Sequence, residues 1–345
     1  MKILAFDHRT ARYESGSGLL SCTGFHADRL LHALLGDLSR LPDVDVTLLR
    51  DPALAPLNLP SSVHVIACTA DNATEAMAIG MASADAVWPV VPESTRMLER
   101  ASSLILHCDR MLIGSQPDAV RVAASKRATS QALKAAGIAV VDTCRLDDAL
   151  PESASAWVVK PDDGAGCSET RLFADSDAAR ASVAQRDAGR YVMQPYLHGA
   201  HRSISMVCAN GRVLLLSVNE QRMAVYDNQL HYMGSTVNGV RDQQRQYRAL
   251  AEQVLAALPG LWGYVGIDFI MGADGPVVLE VNPRVTISHA GMRQSTGHNP
   301  AQVVMDLIQN GPSGPSAPPE ARRIKPVSID VNPFQEPGDG RPHSA

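Results

Sequence analysis

The chain has 345 residues, of which 45% are hydrophobic, and a formal net charge of −5. This length and apolar content suffice for two or three packed domains, while the acidic balance and the lack of any run of five basic residues exclude non-specific nucleic-acid binding. The six cysteines stand singly, without CxxC or zinc-type spacing, and read as reduced thiols; the apolar run of "MKILAF" is too short for a signal peptide, no segment is long enough for a membrane span, and a cytoplasmic location is expected.

In chain order, β-type runs "KILAF" (2–6), "VDVTLL" (44–49), "VHVIA" (63–67), "DAVWPVV" (85–91) and "MLIG" (111–114) alternate with amphipathic stretches such as "FHADRLLHALLGDLSRL" (25–41), whose apolar residues recur at three and four. That alternation predicts βαβ units on a parallel sheet. The glycines of "SGSGLLSCTG" (15–24) do not fit G-x-G-x-x-G, and the chain has no Gly-Lys dipeptide, so neither a dinucleotide fingerprint nor a P-loop is present. From "SKRATSQALKAAGI" (125–138) the pattern changes. A Ser-capped helix ending at Gly137 leads into the runs "AWVVKP" (156–161), "RYVMQPYL" (190–197), "SISMVCANGRVLLLSV" (203–218), with "ANGR" as a hairpin turn, and "YVGIDFIM" (264–271). The expected fold class is α/β followed by a largely antiparallel α+β part. Beyond "VVMDLIQNG" (303–311) a tail holds 8 of the 22 prolines and is expected to lie along the surface or to be mobile.

Three stations carry chemistry. In "GIDFIMGADGPVVLEVN" (266–282), "ADG" suits a three-residue loop with Gly275 left-handed, so that Gly272 pairs with Pro276 and Asp268 faces Glu280, with Asn282 on the same face. Two carboxylates about 5 Å apart repel unless a cation bridges them, and with an amide oxygen they form the hard donor set that suits magnesium. Considered alone, the same face could equally be solvated and its acids incidental. Next, "WVVKPDDGAGCSET" (157–170) delivers Lys160 at a strand end before a loop with Gly164 and Gly166. Only five of the 31 basic residues are lysines, and a Lys beside a glycine loop supplies a compact positive charge for phosphates. The third, "YVMQPYLHGA" (191–200), ends an apolar strand in a polar and aromatic segment that could read a purine or simply exit the sheet.

Taken in order, Lys126 at a helix start, Lys160 with its glycine loop, Gln194-Pro195-Tyr196-Leu197, Asp268, and Glu280-x-Asn282-Pro283-Arg284 make residues 115–310 resemble the ATP-grasp superfamily. The resemblance implies an N-terminal α/β (pre-ATP-grasp) domain over 1–115, a lid subdomain over 116–190, a C-terminal antiparallel-sheet lobe with the metal site over 191–311, and a Pro-rich tail over 312–345. It further implies that Lys126 and Lys160 hold the ATP phosphates, that the loop with Gly164, Gly166 and Ser168 is the phosphate lid, and that Gln194, Tyr196 and Leu197 form the adenine hinge. Asp268, Glu280 and Asn282 would bind Mg²⁺ or Mn²⁺, and Arg284, with Lys160, would steady the transferred phosphoryl. Where many members carry a ribose-binding Glu, this chain has His201.

A narrower resemblance rests on "YESGSG" (13–18), "VVPESTRMLE" (90–99), "SVNEQR" (217–222), "YMGS" (232–235) and "EVNPRVTISHAG" (280–291). These are similar to the archaeal-type carboligases that join glutamate to tyramine in methanofuran biosynthesis, and to bacterial relatives serving C1 carriers of the methylofuran and tetrahydromethanopterin kind. The chain departs from them at Val285, Ile287 and His289. The implied reaction activates a glutamate γ-carboxyl as an acyl phosphate, which an amine such as tyramine or tyrosine attacks; Gln221, Arg222, Thr286, Ser288 and His289 are the implied substrate contacts. Cys167 is expected to be a packing residue, since no neighbour in sequence supplies a base. The expected partners are a small-molecule acid and amine, without nucleic acid or membrane, and a homo-oligomer is left open. The alternatives are a ligase of another amino-acid or peptide pathway, a non-catalytic nucleotide sensor, and a redox enzyme, the last disfavoured by the missing dinucleotide fingerprint.

Overall fold

The computed structural model describes residues 1–7, 22–54, 56–151, 154–240, 244–310 and 324–331. The segment "YESGSG" lies outside the described residues, as does most of the tail.

The first unit is built from β1 (Lys2–Asp7), α1 (Cys22–Leu38), β2 (Asp45–Arg50), β3 (Val63–Ala67), α2 (Ala73–Ser83), β4 (Ala86–Val90), α3 (Met97–His107) and β5 (Met111–Leu112). Its sheet is parallel in the order β3-β2-β1-β4-β5. Both faces are covered, which is why β1 and β4 read as unbroken apolar runs. Ile3, Ala5 and Leu48 pack with Leu31, Leu34 and Leu35 of α1, while Leu4, Phe6 and Leu49 face Met77 of α2 and Ile105 of α3. The strand order reverses between β1 and β4, so the loop after β4 leaves the carboxyl end of the sheet at its switch point. That loop carries Glu93.

Helices α4 (Pro117–Ala124) and α5 (Lys126–Ala135) lead into β6 (Trp157–Pro161), β7 (Arg171–Phe173), α6 (Ser176–Ala181), β8 (Tyr191–Pro195), β9 (Ala200–Ala209), β10 (Arg212–Tyr226) and β11 (Gln229–Val237). The chain continues through α7 (Gln244–Ala257), β12 (Gly263–Gly272), β13 (Gly275–Asn282), α8 (His289–Thr296), α9 (Pro300–Asn310) and β14 (Val327–Asp330). These strands form one antiparallel sheet ordered β13-β12-β9-β10-β11-β7-β6-β8, with β14 added to β11. Tyr247, Leu250 and Val254 of α7 pack on Met206, Val265 and Phe269, while Val207 and Tyr264 belong to the core shared with α1 and α9. The "ANGR" turn forms as expected, with Asn210 and Gly211 at φ 52° and 75°.

Two sequence expectations are corrected. The β12–β13 turn has two residues, not three: Gly272 pairs with Gly275 and Met271 with Pro276, and Gly275 sits at φ 126° rather than in the left-handed helical region. A bulge between Phe269 and Asp268 then takes up Leu279, and Asp268 does oppose Glu280. The inward residues show why: buried Val278 pairs with Phe269 and buried Val281 with Ile267, three apart on one strand and two on the other. The second correction concerns the tail. Its described part forms β14, which buries Val327 and Ile329 against Val237 and Met292.

Candidate active site

The site lies where α5, the loop after β6, and the β12–β13 pair converge. Ser125 caps α5 by accepting the Ala128 N–H at 3.0 Å and donates its hydroxyl to Asp162 at 2.7 Å, while Asp162 also accepts the Arg127 N–H at 2.9 Å. The helix start is thereby fixed to the loop that follows β6. Lys126, 5% exposed, donates from Nζ to the Gly164 carbonyl at 2.6 Å and lies 3.5 Å from Glu280 Oε2. Lys160 is buried near the end of β6, and burial pushes its pKa down to about 8, opposed by the Glu280 carboxylate. Two ammonium groups thus converge on one carboxylate.

On the facing hairpin, burial and then the charge of Glu280 push Asp268 up to about 8. Glu280 feels the same burial, but Lys126 and Lys160 hold it below the usual carboxylate range. Asn282 Nδ2 donates to Asp268 Oδ2 at 3.1 Å and Gln221 Nε2 to Oδ1 at 3.0 Å. Two opposed carboxylates of which one is driven to keep its proton, with an amide beside them, are a hard-oxygen set short of positive charge, so Asp268, Glu280 and Asn282 fit a divalent ion such as magnesium. Among the described residues no cluster of three His, Cys, Asp or Glu side chains could hold a metal. Water and phosphate oxygens would complete the coordination.

The glycine loop is a tight coil of left-handed backbone, with φ 64° at Gly166, 60° at Cys167 and 52° at Glu169, and Ser168 between them. Such turns bring successive N–H groups together in the way that suits phosphate oxygens. Glu169 moors the loop by accepting from Arg186 at 2.9 Å, Arg190 at 3.1 Å and the Tyr191 hydroxyl at 2.6 Å. Burial, with Glu280 next, pushes the Cys167 thiol up to about 12, which keeps it protonated and non-nucleophilic. His201 on β9 is half-buried, and burial together with the charge of Lys160 lowers its pKa, which keeps the ring neutral.

Other sequence candidates sit differently. The Gln194 side chain is turned into the core, donating to Thr143 at 2.8 Å, and the Tyr196 N–H is taken by the Ala156 carbonyl. Leu197 remains half-buried at the strand exit. Arg284, expected to face a phosphoryl group, gives its Nε and Nη2 to both oxygens of Glu93, the latter at 3.1 Å, and its Nη1 to the Val285 carbonyl at 3.2 Å. Of the five substrate candidates, Gln221 contacts Asp268, and Thr286 packs over Gly266 opposite Asn282. The remaining three are drawn away. Arg222 donates to Asp330 at 2.6 Å and to the Ile329 carbonyl at 2.9 Å, because β14 supplies acceptors that the sequence did not place there. His289 is buried with Nε2 3.2 Å from Asp37 of α1, and Ser288 is buried at the start of the same helix.

Sequence reasoning missed Glu93 as a site residue. An acid directly after a buried strand, in "VVPEST", was the available signal, since at 5% exposure it needs a cationic partner. Beside Arg284 lies a cavity lined by Trp88, Leu98, Ser102, Tyr264 and Val285, between the two units.

Comparison with known proteins bears on this geometry. Residues 123–288 match the ATP-grasp domain family, and residues 44–120 match the pre ATP-grasp 3 domain. Tyramine–L-glutamate ligase of Methanocaldococcus jannaschii is 24% identical over 204 residues, 59% of this chain and 57% of that protein. The match thus spans little more than half of that relative. An ATP-grasp superfamily protein from Archaeoglobus fulgidus superposes with a TM-score of 0.71 at 20% identity, covering 98% of this chain and 97% of the other. L-amino acid ligase from Bacillus licheniformis gives 0.67 at 17% identity over 89% and 74%. With a pre ATP-grasp 3 domain over 44–120 ahead of an antiparallel lobe whose paired carboxylates face two buried lysines, the chain carries an ATP-grasp domain over 123–288 and resembles the tyramine–glutamate ligase branch.

Proposed function

We propose that this protein joins a carboxylic acid to an amine at the expense of ATP, through an acyl phosphate, with glutamate as the acid and an aromatic amine such as tyramine or tyrosine as the acceptor. The observation that carries the reading is the convergence of Lys126 and Lys160 on the Asp268–Glu280 pair beneath the glycine loop. Lys126, Lys160 and the loop N–H groups bind and orient the triphosphate; Tyr196, Leu197 and the strand exit hold the base, with His201 on the ribose side. Asp268, Glu280 and Asn282 would hold magnesium or manganese, which when bound neutralises the charge spread over the transferring phosphoryl. Arg284 steadies the transferring phosphoryl, and the small cavity beside it, walled by Trp88, Leu98 and Tyr264, has room for about one water and would have to open to admit an aromatic acceptor. Such chemistry needs positioning and charge, and no nucleophilic side chain.

The units would divide as lid over 116–190 and metal lobe over 191–311, with residues 1–115 on the acceptor side. The matched tyramine–L-glutamate ligase supports the choice of acid and amine, and the sequence resemblance to the methylofuran-type carboligases would give the reaction a place in C1-carrier biosynthesis. Among the described residues no helix is long and apolar enough to cross a membrane. The test is ADP release with ATP, magnesium, glutamate and tyramine or tyrosine, each omitted in turn, with the product weighed by mass spectrometry. Glu280→Gln should abolish turnover. Release that persists without glutamate, or a product containing another acid, overturns the substrate assignment, and full activity in Glu280→Gln overturns the site.

A further inference from the structure

The loop after β4 touches both halves of the transfer centre. Glu93 takes the Nε/Nη2 edge of Arg284 with both carboxylate oxygens, the two groups being 6% and 19% exposed. Two residues on, the Thr95 N–H donates to Asp163 Oδ2 at 3.0 Å, and Asp163 immediately precedes Gly164 of the glycine loop. The loop reaches both points through a costly conformation. Thr95 and Arg96 lie consecutively in the left-handed region at φ 54° and 59°, which is unfavourable for a β-branched and a long side chain. Two further contacts hold it: Arg96 gives Nε and Nη2 to Glu99, each at 2.8 Å, and the Leu98 N–H bonds the Pro92 carbonyl at 3.2 Å. Strain of this kind persists only where surrounding contacts over-determine it.

The hydrogen bonding of Arg284 gives the arrangement a direction. Its Nε–H and one Nη2–H are used by Glu93 and one Nη1–H by Val285, so one proton on each of Nη1 and Nη2 is left over, away from the edge that Glu93 holds. A guanidinium held along one edge by a buried carboxylate can present only the other, and a planar fork makes that orientation strict. We propose that Glu93 is a positioning residue, which fixes Arg284 so that its open edge meets the reacting oxygens and, through Thr95 and Asp163, sets the glycine loop in register with it. This rests on the proposed ligase reading. The loop belongs to the α/β unit on whose side the acceptor would bind, so acceptor occupancy and phosphate closure are linked through one short turn.

The experiment compares wild type, Glu93→Gln, Glu93→Asp and Asp163→Ala as full-length chains. Metal-free ADP binding and thermal midpoint are measured first, then kcat and KM for ATP in the acid-plus-amine assay. Glu93→Gln loses one of the two acceptors and should lower kcat about 100-fold while leaving the KM for ATP within about threefold, since displacing a group by roughly 1 Å costs on that order. Glu93→Asp, which keeps the charge, should recover part of the loss. Asp163→Ala should raise the KM for ATP with a smaller effect on kcat. Unchanged kcat in Glu93→Gln overturns the proposal, and so does a loss that Glu93→Asp does not relieve or that is matched by lost ADP binding, which marks a structural role. If wild type releases no ADP, the ligase reading fails instead. Arginine modification by phenylglyoxal, mapped by mass spectrometry, then decides whether Glu93 holds Arg284: the guanidinium should be protected in wild type and labelled in Glu93→Gln, and equal labelling overturns the hold.

Discussion

Lys160 is a buried ammonium at the strand end beside the glycine loop, and on the proposed ligase reading it would meet the phosphates there. Its pKa is lowered by burial to about 8, against about 10.4 in an unfolded chain. Between those values the unfolded state binds more protons than the folded one, so this group makes stability rise as pH rises from about 8 toward 10.4. Below pH 8 the folded protein carries the full cost of a buried ammonium, on the order of 3 kcal/mol. Lys160→Met should therefore be more stable than wild type at pH 7, and the difference should shrink by pH 10. Thermal midpoints of both proteins across that range, without nucleotide, measure it. A constant difference would place the Lys160 ammonium in water. Added ADP should narrow the gap at pH 7, because phosphate oxygens supply the countercharge that the fold withholds.

Elements are where sequence and structure part company in an instructive way. The period-2 and period-3.6 patterns were enough for the two sheets and for α1 and α5, because burial on one or both faces imposes them directly. The opposition of Asp268 and Glu280 was legible too, although by way of the wrong turn. A three-residue loop without a bulge and a two-residue turn with a bulge at Leu279 bring the same residues opposite one another. The distinguishing signal was the spacing of Val278 and Val281, three apart where strict alternation demands two. Contacts made across the chain left no such periodic trace. Nothing local tells Glu93 that its partner is Arg284, or Arg222 that a strand from the tail will take its guanidinium. Gly234 records that strand: at φ 119° a Cβ would overlap the Ile329 carbonyl oxygen and lie 2.7 Å from Arg222 Nη2. Gly234→Ala should dislodge β14 and destabilise the chain by about 1–3 kcal/mol. Limited proteolysis reads the outcome as faster cleavage within 324–331; an unchanged cleavage rate would mean that β14 tolerates the methyl group.

At the scale of the molecule, the two units are joined by buried polar contacts as well as by apolar packing. Asp37 on α1 is 5% exposed, and its carboxylate receives Arg293 Nε at 2.9 Å and lies 3.2 Å from His289 Nε2, while its carbonyl accepts from Asn299 at 2.8 Å. Removing that carboxylate leaves the buried His289 ring without its polar neighbour, while Arg293, 49% exposed, can turn to water. Asp37→Ala should cost about 1–2 kcal/mol, as leaving a buried polar group without its partner generally does, and the urea midpoint should fall without loss of secondary structure in the first unit. A change below about 0.5 kcal/mol would show that water replaces the carboxylate. The edge of β11 has a further consequence for handling the protein. Its first residue pairs with β7 and its last four, Gly234–Val237, with β14, so the tail strand closes an edge that the lid strand is too short to cover. An uncovered edge is a template for a second chain. A version ending at Asn310 should therefore self-associate with rising concentration, seen as growing light scattering, whereas the full chain at equal concentration should not. A trimmed version whose scattering matched the full chain would mean that the edge is guarded by something other than β14.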